Sequence, residues 1–335
     1  MLGGLCLGVA LGYFPKPFHL QRQFWWRELA IAAVAVTILL SLVPPIAGTV
    51  RDLVVQSRSN EEKIVPTLVR VEEKGAVLRD ARAMQVRVGV TDRTRAIVQN
   101  LPVDADVVLG LRRAGSDAVV DVVRIEAIDP LFTLPYIIML EERARIMFYH
   151  VPMSWVAIIA YLLSMVYALR YVRTRDIQLD DVSSSAASVG TLYTVLATVT
   201  GSVWAKFNWG SFWNWDPRET SIFVLLLIYA AYFLLRSAIE DEHRRARLSA
   251  VYSVIAFITA PFLIFVIPRM FKGLHPGSLD DVNAGPLLSP SSQDINLTKQ
   301  VLFSLALFSF TLVYFWLMNI RMRLVRAERE RSIER

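Results

Sequence analysis

Six stretches of this chain are long and apolar enough to cross a lipid bilayer as helices. A transmembrane helix needs about 20 predominantly apolar residues. The runs that meet this requirement are residues 28–48, 148–171, 186–207, 220–237, 249–268 and 300–320. Hydrophobic residues fill 54% of the 335 positions and the mean hydropathy is +0.43, values typical of a multi-pass membrane protein. The sequence therefore predicts an all-α polytopic membrane protein with about six transmembrane helices.

The N-terminal residues 1–14 are also apolar but are short for a span. No basic region precedes them and no cleavage site follows, so we expect no cleaved signal peptide. A short extra helix and a mobile start both fit this stretch. It contains the single cysteine, Cys6, which excludes an internal disulfide and any CxxC motif.

Between the first two spans lies a polar segment, residues 51–135, with short alternating runs. Residues 85–90 alternate as a strand does, and residues 107–111 and 119–125 flank a turn-like sequence at 114–117. We predict a small β-rich extracytoplasmic domain inserted between helices 1 and 2. The segment contains no His, Cys or Trp, so no ligand site is predicted there.

The distribution of Lys and Arg predicts the orientation of the spans. Sixteen basic residues near the ends of the spans fall on one side, whereas the short loops on the other side hold five. The positive-inside rule then places both termini in the cytoplasm. The net charge of +6 is concentrated in these short segments, so we interpret it as a topology signal and expect no nucleic-acid partner.

Residues 206–220, before and into the fourth span, are unusually aromatic. Three tryptophans and two phenylalanines lie within nine positions: Phe207, Trp209, Phe212, Trp213 and Trp215. Trp209 and Trp213 are four residues apart and share a face if the stretch is helical. Such flat rings suit stacking on a large planar ligand, and the alternative is an aromatic belt at the membrane interface.

The next residues, Asp216-Pro217-Arg218-Glu219, predict how the fourth span begins. Asp at the N-cap, Pro at the first helical position and Glu at the third form a capping box. Asp216 is therefore expected to cap this helix and to fix the angle at which the aromatic segment meets it.

The four histidines divide by predicted depth. His19 and His243 fall on the cytoplasmic side among charged residues, whereas His150 and His275 lie at the outer ends of spans two and five. An isolated histidine at such a position is more often an interfacial polar residue than a ligand. Because both outer histidines flank the aromatic segment, we predict that they are axial ligands to haem iron.

Basic side chains near the same surface are candidates to pair with the haem propionates. They are Lys206, Arg218, Arg269 and Lys272. Snorkelling of these side chains to the membrane surface is an equally good explanation for each.

The motif Trp209-Gly210-Ser211-Phe212-Trp213-Asn214-Trp215-Asp216 resembles the tryptophan-rich WWD signature of the haem-handling proteins of cytochrome c biogenesis. His150-Val151-Pro152 and Leu274-His275-Pro276-Gly277 resemble the two flanking histidine motifs of that family. The resemblance covers about residues 20–48 and 140–322 and is greatest to the cytochrome c maturation protein C branch.

This resemblance implies a haem-binding site on the outer face. His150 and His275 would be the axial ligands of haem b. Trp209, Trp213, Trp215 and Asp216 would form the platform, with Arg218 beside it.

With the spans predicted above, the chain is expected to comprise an N-terminal segment with the first span (1–50), the β-rich insertion (51–135), a five-helix haem-handling domain (136–322) and a basic cytoplasmic tail (323–335). The resemblance further implies a cellular role for the chain. It would lie in the bacterial inner membrane with its haem site facing the periplasm. It would deliver haem to a haem chaperone, cytochrome c maturation protein E, together with ABC transporter subunits, and would not be an enzyme.

Other functions remain to be weighed against haem delivery. The continuation Asp216-Pro217-Arg218-Glu219-Thr220 is closer to the related cytochrome c synthase branch, a haem lyase, although that branch also carries histidines inside its spans and this chain has none there. An electron-transfer cytochrome b is disfavoured for the same reason. A solute permease is disfavoured because no mid-span charge pair marks a transport path.

Overall fold

The computed structural model describes residues 2–13, 24–43, 45–46, 62–64, 66–72, 75–79, 85–113, 120–128, 134–135, 145–275, 277–279 and 297–333. The chain divides into two compact units. One unit combines Met1–Ser41 with Arg145–Arg335, and the other is Leu42–Ala144.

The first unit is helical. Its helices are α1 (Leu2–Tyr13), α2 (Phe24–Ser41), α4 (Met147–Thr174), α5 (Ile177–Trp209), α6 (Pro217–Ser237), α7 (Glu242–Pro261), α8 (Ile267–Met270) and α9 (Leu297–Ile333). The remaining helix, α3 (Asp92–Gln99), belongs to the second unit. A π-helical turn, Phe262–Val266, joins α7 to α8.

Within the described residues, five helices are long and apolar enough to cross a membrane. They are Met147–Thr174, Ile177–Trp209, Pro217–Ser237, Glu242–Met270 and Gln300–Arg331. They coincide with five of the six predicted runs, so the prediction of a mainly helical, multi-pass membrane protein is confirmed. The first predicted run, 28–48, overlaps the 18-residue α2 and extends beyond the described residues, so a sixth span stays a prediction.

The N-terminal residues form a helix that packs closely on α9. Gly4, Gly8 and Gly12 recur every fourth residue on the face of α1 that meets α9, and a Cβ atom at Gly8 would lie 2.8 Å from the Cβ of Thr311. Small residues at this spacing let two helix backbones approach closely. Of the two possibilities for residues 1–14, the structure therefore shows the short helix.

The π-helical turn follows from the prolines beside it. Pro261 ends α7 and Pro268 lies in the first turn of α8. Because proline has no backbone N–H, the regular hydrogen-bond ladder is interrupted at both positions. The turn between them carries Ile264 and Phe265, which face the cavity described below.

The second unit contains a small β-sheet, as the sequence predicted. Its elements are β1 (Pro45–Ile46), β2 (Glu62–Ile64), β3 (Thr67–Glu72), β4 (Gly75–Arg79), β5 (Gln85–Val90), α3 (Asp92–Gln99), β6 (Val107–Arg113), β7 (Val120–Ile128) and β8 (Leu134–Pro135). β1 pairs with β8 in a separate two-stranded sheet.

The six-stranded sheet curls into a small barrel. Its order is β2-β6-β7-β5-β4-β3, antiparallel except for the parallel β5–β7 pair. The start of β3 bonds back to the residues before β6, since the Leu68 N–H donates to the Ala105 carbonyl at 2.9 Å. With α3 between β5 and β6, this is the arrangement of an OB-type barrel. Its predicted extracytoplasmic position stays a prediction.

Candidate functional site

A cavity of about 1250 Å³, including its open mouth, lies among α4, α5, α6 and the π-helical turn of the helical unit. Both predicted haem ligands, His150 and His275, line it, together with Trp213 and Arg218. Two segments more than 100 residues apart in the sequence therefore contribute imidazoles to one cavity. His275 and Arg218 also lie close enough to His150 to interact with it electrostatically.

The orientation of His150 is fixed by α5. His150 lies in the first turns of α4, and its Nδ1 is 2.8 Å from the Ala197 carbonyl oxygen. Because a carbonyl only accepts hydrogen bonds, Nδ1 carries the proton, and Nε2 of the neutral ring keeps its lone pair. Gly201, one turn further along α5, makes room for the ring, since a Cβ there would lie 2.8 Å from Cε1 of His150.

His275 is oriented by a carboxylate. It lies in the loop after α8, and its Nδ1 donates to Oδ1 of Asp216 at 2.7 Å. The ring also lies against two indoles, with centroid distances of 4.7 Å to Trp209 and 6.2 Å to Trp204. When the ring is neutral, this arrangement likewise leaves Nε2 as the nitrogen with a lone pair.

Asp216 joins the aromatic segment to the His275 loop. The predicted capping box is confirmed: Asp216 accepts the Arg218 N–H at 2.9 Å and is the N-cap of α6, and the Glu219 carboxylate reaches back to the Asp216 N–H. The other carboxylate oxygen, Oδ2, accepts the Leu274 N–H at 2.6 Å. One side chain thus holds the start of a helix and the loop that carries a histidine.

The environment of Asp216 keeps its carboxylate ionised. Burial favours the neutral form, but the hydrogen bond and charge of His275, with the N–H groups of Leu274 and Arg218, outweigh it and lower the pKa of Asp216 to about 2. At neutral pH the group is therefore an acceptor for the imidazole N–H.

The three predicted platform tryptophans are not arranged as one flat surface. Trp213 lines the cavity and Trp209 packs against His275, whereas Trp215 is 69% exposed and meets Trp213 edge to face. Trp209 and Trp213 would share a face only if the stretch between them were helical, and this condition is not met, because Gly210 takes a left-handed conformation (φ 85°) and ends α5 after Trp209.

Of the four basic residues predicted to pair with the haem propionates, two line the cavity and two do not. Arg218 and Arg269 line the cavity, and the Arg269 Nη1 donates to the Phe265 carbonyl at 2.6 Å. Lys206 and Lys272 are not among the wall residues. Lys206 instead donates to the Gly210 carbonyl at 2.9 Å and lies over the Phe212 ring.

Several wall residues were not predicted from the sequence. Trp155, Tyr161 and Phe265 line the cavity, and Gly201 shapes it. They lie inside apolar runs, where an aromatic residue or a glycine is ordinary for a membrane helix. Only their contacts across helices distinguish them.

Among the described residues, no group of three or more His, Cys, Asp or Glu side chains could hold a bare metal ion. The cavity therefore offers two imidazoles, aromatic surface and guanidinium groups. This donor set fits a metal complex that brings most of its own ligands, not a bare ion.

Comparison with known proteins gives a consistent family. A family model described as "CcmC: Heme exporter protein C" matches residues 117–335. The chain is 32% identical over 152 residues to "Heme exporter protein C" of Bradyrhizobium diazoefficiens, covering 43% of this chain and 58% of that protein. It is 30% identical over 179 residues to "Heme exporter protein C" of Paracoccus denitrificans, covering 53% of this chain and 71% of that protein.

A second group of relatives has a different name. The chain is 34% identical over 110 residues to "Cytochrome c biogenesis protein CcsA" of Spinacia oleracea, covering 32% of this chain and 33% of that protein. The aligned parts thus leave between about a third and two thirds of each relative unmatched.

Proposed function

Because the chain belongs to the heme exporter protein C family, we propose that it binds haem b as its cargo and delivers it for cytochrome c maturation. The observation that carries this proposal is the pair of histidines at one cavity, each held through Nδ1. The bonds to Ala197 and Asp216 leave Nε2 of each ring available to iron. Ligating histidines in proteins usually donate their other N–H to a carbonyl or carboxylate in this way.

The remaining groups suit a porphyrin. Haem brings four equatorial nitrogens, so only axial ligands are needed from the chain, and His150 and His275 supply two. Trp213 at the wall offers an aromatic face to the macrocycle, and Trp209 braces His275. Trp215, which is largely exposed, acts at the rim of the site and not in its wall.

Binding without covalent attachment suits delivery. The chain has a single cysteine, Cys6, so it lacks the paired thiols that attach haem in c-type cytochromes. The cavity is open, which lets a partner reach the cargo. In this proposal the partners are the haem chaperone, cytochrome c maturation protein E, and ABC transporter subunits, at the periplasmic face of the bacterial inner membrane. The chain acts as a carrier and not as an enzyme.

The test is the absorption spectrum of the purified full chain reconstituted with haem. Wild type is expected to give the spectrum of bis-imidazole, low-spin haem. His150→Ala and His275→Ala are each expected to lose that spectrum and to bind haem at least tenfold more weakly. His243→Ala, which removes an exposed histidine on α7, is the matched control and should behave as wild type. Unchanged haem binding in the His150→Ala/His275→Ala double variant would refute the proposal.

Similarity to the CcsA protein of Spinacia oleracea supports a second candidate, a cytochrome c haem lyase. A lyase would attach haem to an apocytochrome CxxCH motif without other assembly factors. The discriminating experiment expresses this chain with an apocytochrome in a strain that lacks the other maturation proteins. Covalently bound haem would favour the lyase, and its absence with retained haem binding favours delivery.

A further inference from the structure

The histidine cavity occupies only one end of the helical unit. On α4 its wall residues run from His150 to Tyr161, about 17 Å of a helix that continues about 20 Å further to Thr174. On α6 the deepest wall residue, Leu225, lies about 18 Å before the end of the helix at Ser237. The opposite end of the unit, where α4 ends and α5 begins, is called the inner end here, and it is the end predicted to face the cytoplasm. A long stretch of helix therefore separates the cavity from the inner end.

The floor of the cavity is formed by stacked tyrosines. Tyr161 and Tyr229 lie face to face, with ring centroids 3.7 Å apart and planes inclined by 14°. Tyr229 meets Tyr232 edge to face, one turn nearer the inner end. The hydroxyl groups of Tyr161 and Thr194 share a hydrogen bond of 2.8 Å between α4 and α5. All four side chains are at most 1% exposed, so they fill the space between α4, α5 and α6 beneath the cavity.

A layer of serines lies nearer the inner end. The Ser183 hydroxyl of α5 donates to the Ser164 carbonyl of α4 at 2.8 Å. The Ser164 hydroxyl also bonds to that of Ser253 of α7 at 3.0 Å. These three side chains are at most 2% exposed. Because small residues let helix backbones approach closely, this layer holds α4, α5 and α7 together at short range.

Ion pairs join the helices at the inner end itself. Asp180 of α5 accepts two bonds of 2.8 Å from Arg236 of α6. The next residue, Asp181, binds Arg329 of α9, and Arg329 also binds Glu242 of α7 at 2.6 Å. Because Asp180 and Asp181 are both buried, parting these helices would leave charges without partners in the protein interior, which is strongly unfavourable. In the part of the helical unit that the structure describes, three successive layers thus close the bundle beneath the cavity.

The exposure of the wall residues points in the same direction. The deepest ones on three helices, Tyr161, Thr194 and Leu225, are at most 1% exposed. Wall residues near the loops, such as Trp213 and His275, are partly exposed. The surface through which a ligand can reach the cavity therefore belongs to the end that carries the histidines.

We infer that the cargo enters and leaves at the histidine end, while the inner half of the bundle stays closed. This inference rests on the proposed haem function and deepens it, because it gives the chain a place in the sequence of steps. The chain receives haem that has already reached the side of the membrane on which the cavity opens. A separate membrane-crossing transport step must therefore come first and supply haem to that side, and hand-over to the next carrier follows on the same side.

The first test fixes the inner end. In a Cys6→Ser background, Asp180→Cys/Arg236→Cys places two thiols where the ion pair stood, and a bismaleimide joins them. Both charges are removed together, so neither is left without a partner. The rates of haem binding to the purified full chain, and of haem release to excess apomyoglobin, are measured before and after cross-linking. They are expected to agree within twofold, with the bis-imidazole spectrum retained.

The matched control is Asp180→Cys alone, treated with the same reagent. It carries the same modification without a link between helices, so any effect of the reagent itself appears there. A tenfold or larger fall in either rate that occurs only in the cross-linked double variant would overturn the inference, because haem exchange would then require the inner ends to part.

The second test asks which positions face water on each side of the membrane. Single cysteines at Ser202, which lines the cavity, and at Ser183 are exposed to a membrane-impermeant maleimide from either side of sealed vesicles that contain the full chain. Ser202→Cys is expected to react from the histidine side, and bound haem should slow this reaction at least tenfold. Ser183→Cys should react at least a hundredfold more slowly than Glu240→Cys, an exposed control between α6 and α7 at the inner end.

The outcomes separate this inference from the proposed function. Reaction of Ser183→Cys from the inner side within tenfold of the Glu240→Cys rate, with protection by haem, would show a passage through the bundle and overturn the inference while leaving the histidine site standing. If haem gives no bis-imidazole spectrum and does not protect Ser202→Cys, the proposed function is refuted and this inference falls with it.

Discussion

Gly201 gives a direct way to move one proposed axial ligand without changing it. In α5, a Cβ at this position would lie 2.8 Å from Cε1 and 3.1 Å from Nδ1 of His150. Carbon atoms in contact prefer about 3.5–4.0 Å, so Gly201→Ala must push the ring away by about 1 Å. The 2.8 Å bond from Nδ1 to the Ala197 carbonyl then lengthens beyond hydrogen-bonding range.

The magnitude follows from what the ring loses. A lost hydrogen bond of this kind costs about 1 kcal/mol, and a displaced Nε2 no longer meets the iron at its axial position. We therefore expect haem affinity to fall at least tenfold and the spectrum to change from bis-imidazole to that of haem with one imidazole. Thermal stability should change little, because alanine in a helix interior is favoured over glycine by about 1 kcal/mol.

The assay is a haem titration of Gly201→Ala followed by absorbance, with thermal unfolding of the same preparations. Gly190→Ala is the matched control in the same helix. Its Cβ would lie 2.7 Å from that of Ala160, so it should lower stability but keep the spectrum. In a His150→Ala background, Gly201→Ala should cause no further loss, because its effect passes through that imidazole. A wild-type spectrum in Gly201→Ala would refute the packing argument.

Two further predictions concern carboxylates in the helical unit. The pKa of Asp216 is about 2, below the unfolded value near 3.8, so its stabilisation of about 2 kcal/mol is present above pH 4 and lost as the pH falls through 2. Asp216→Asn should therefore lower the melting temperature at pH 7 but much less at pH 2, and an equal loss at both values would contradict the role of the charge. Asp180 is buried and binds Arg236 through two bonds of 2.8 Å. Asp180→Asn should cost about 3 kcal/mol of stability in thermal unfolding and leave the haem spectrum intact, since neither residue lines the cavity, and a changed spectrum would show that the two regions are coupled.

Much of the membrane fold could be predicted because its determinants are local. An apolar run of about 20 residues predicts a span wherever it occurs, and the capping box at Asp216 needs only four consecutive residues. The pairing of His150 with His275 was predicted from their shared depth at helix ends. Depth in the membrane does not by itself specify a site, but only two of the four histidines are predicted at the outer ends of spans.

The details of the cavity depend on contacts that sequence spacing does not encode. Nothing in an apolar helix marks Gly201 as the residue that faces His150 across the α4–α5 contact. Likewise, Arg269 and Lys272 are three residues apart, yet only Arg269 lines the cavity. The direction of each side chain follows from where α8 ends, and that is set by the π-helical turn and the prolines beside it.

Asp216 shows how a local signal can conceal a distant role. A capping box fully explains an Asp-Pro-x-Glu sequence, so residue spacing alone gives no reason to expect a bond from Asp216 to the His275 loop. In the structure the same carboxylate also holds the Leu274 N–H and the His275 imidazole. Because one rigid helix start and one ligand loop share this group, the position of His275 is tied to the axis of α6. Arg218, in the first turn of α6, is tied to the same point. The capping box thus fixes the relative position of one imidazole, the His275 ring, and the backbone of Arg218 at the start of α6.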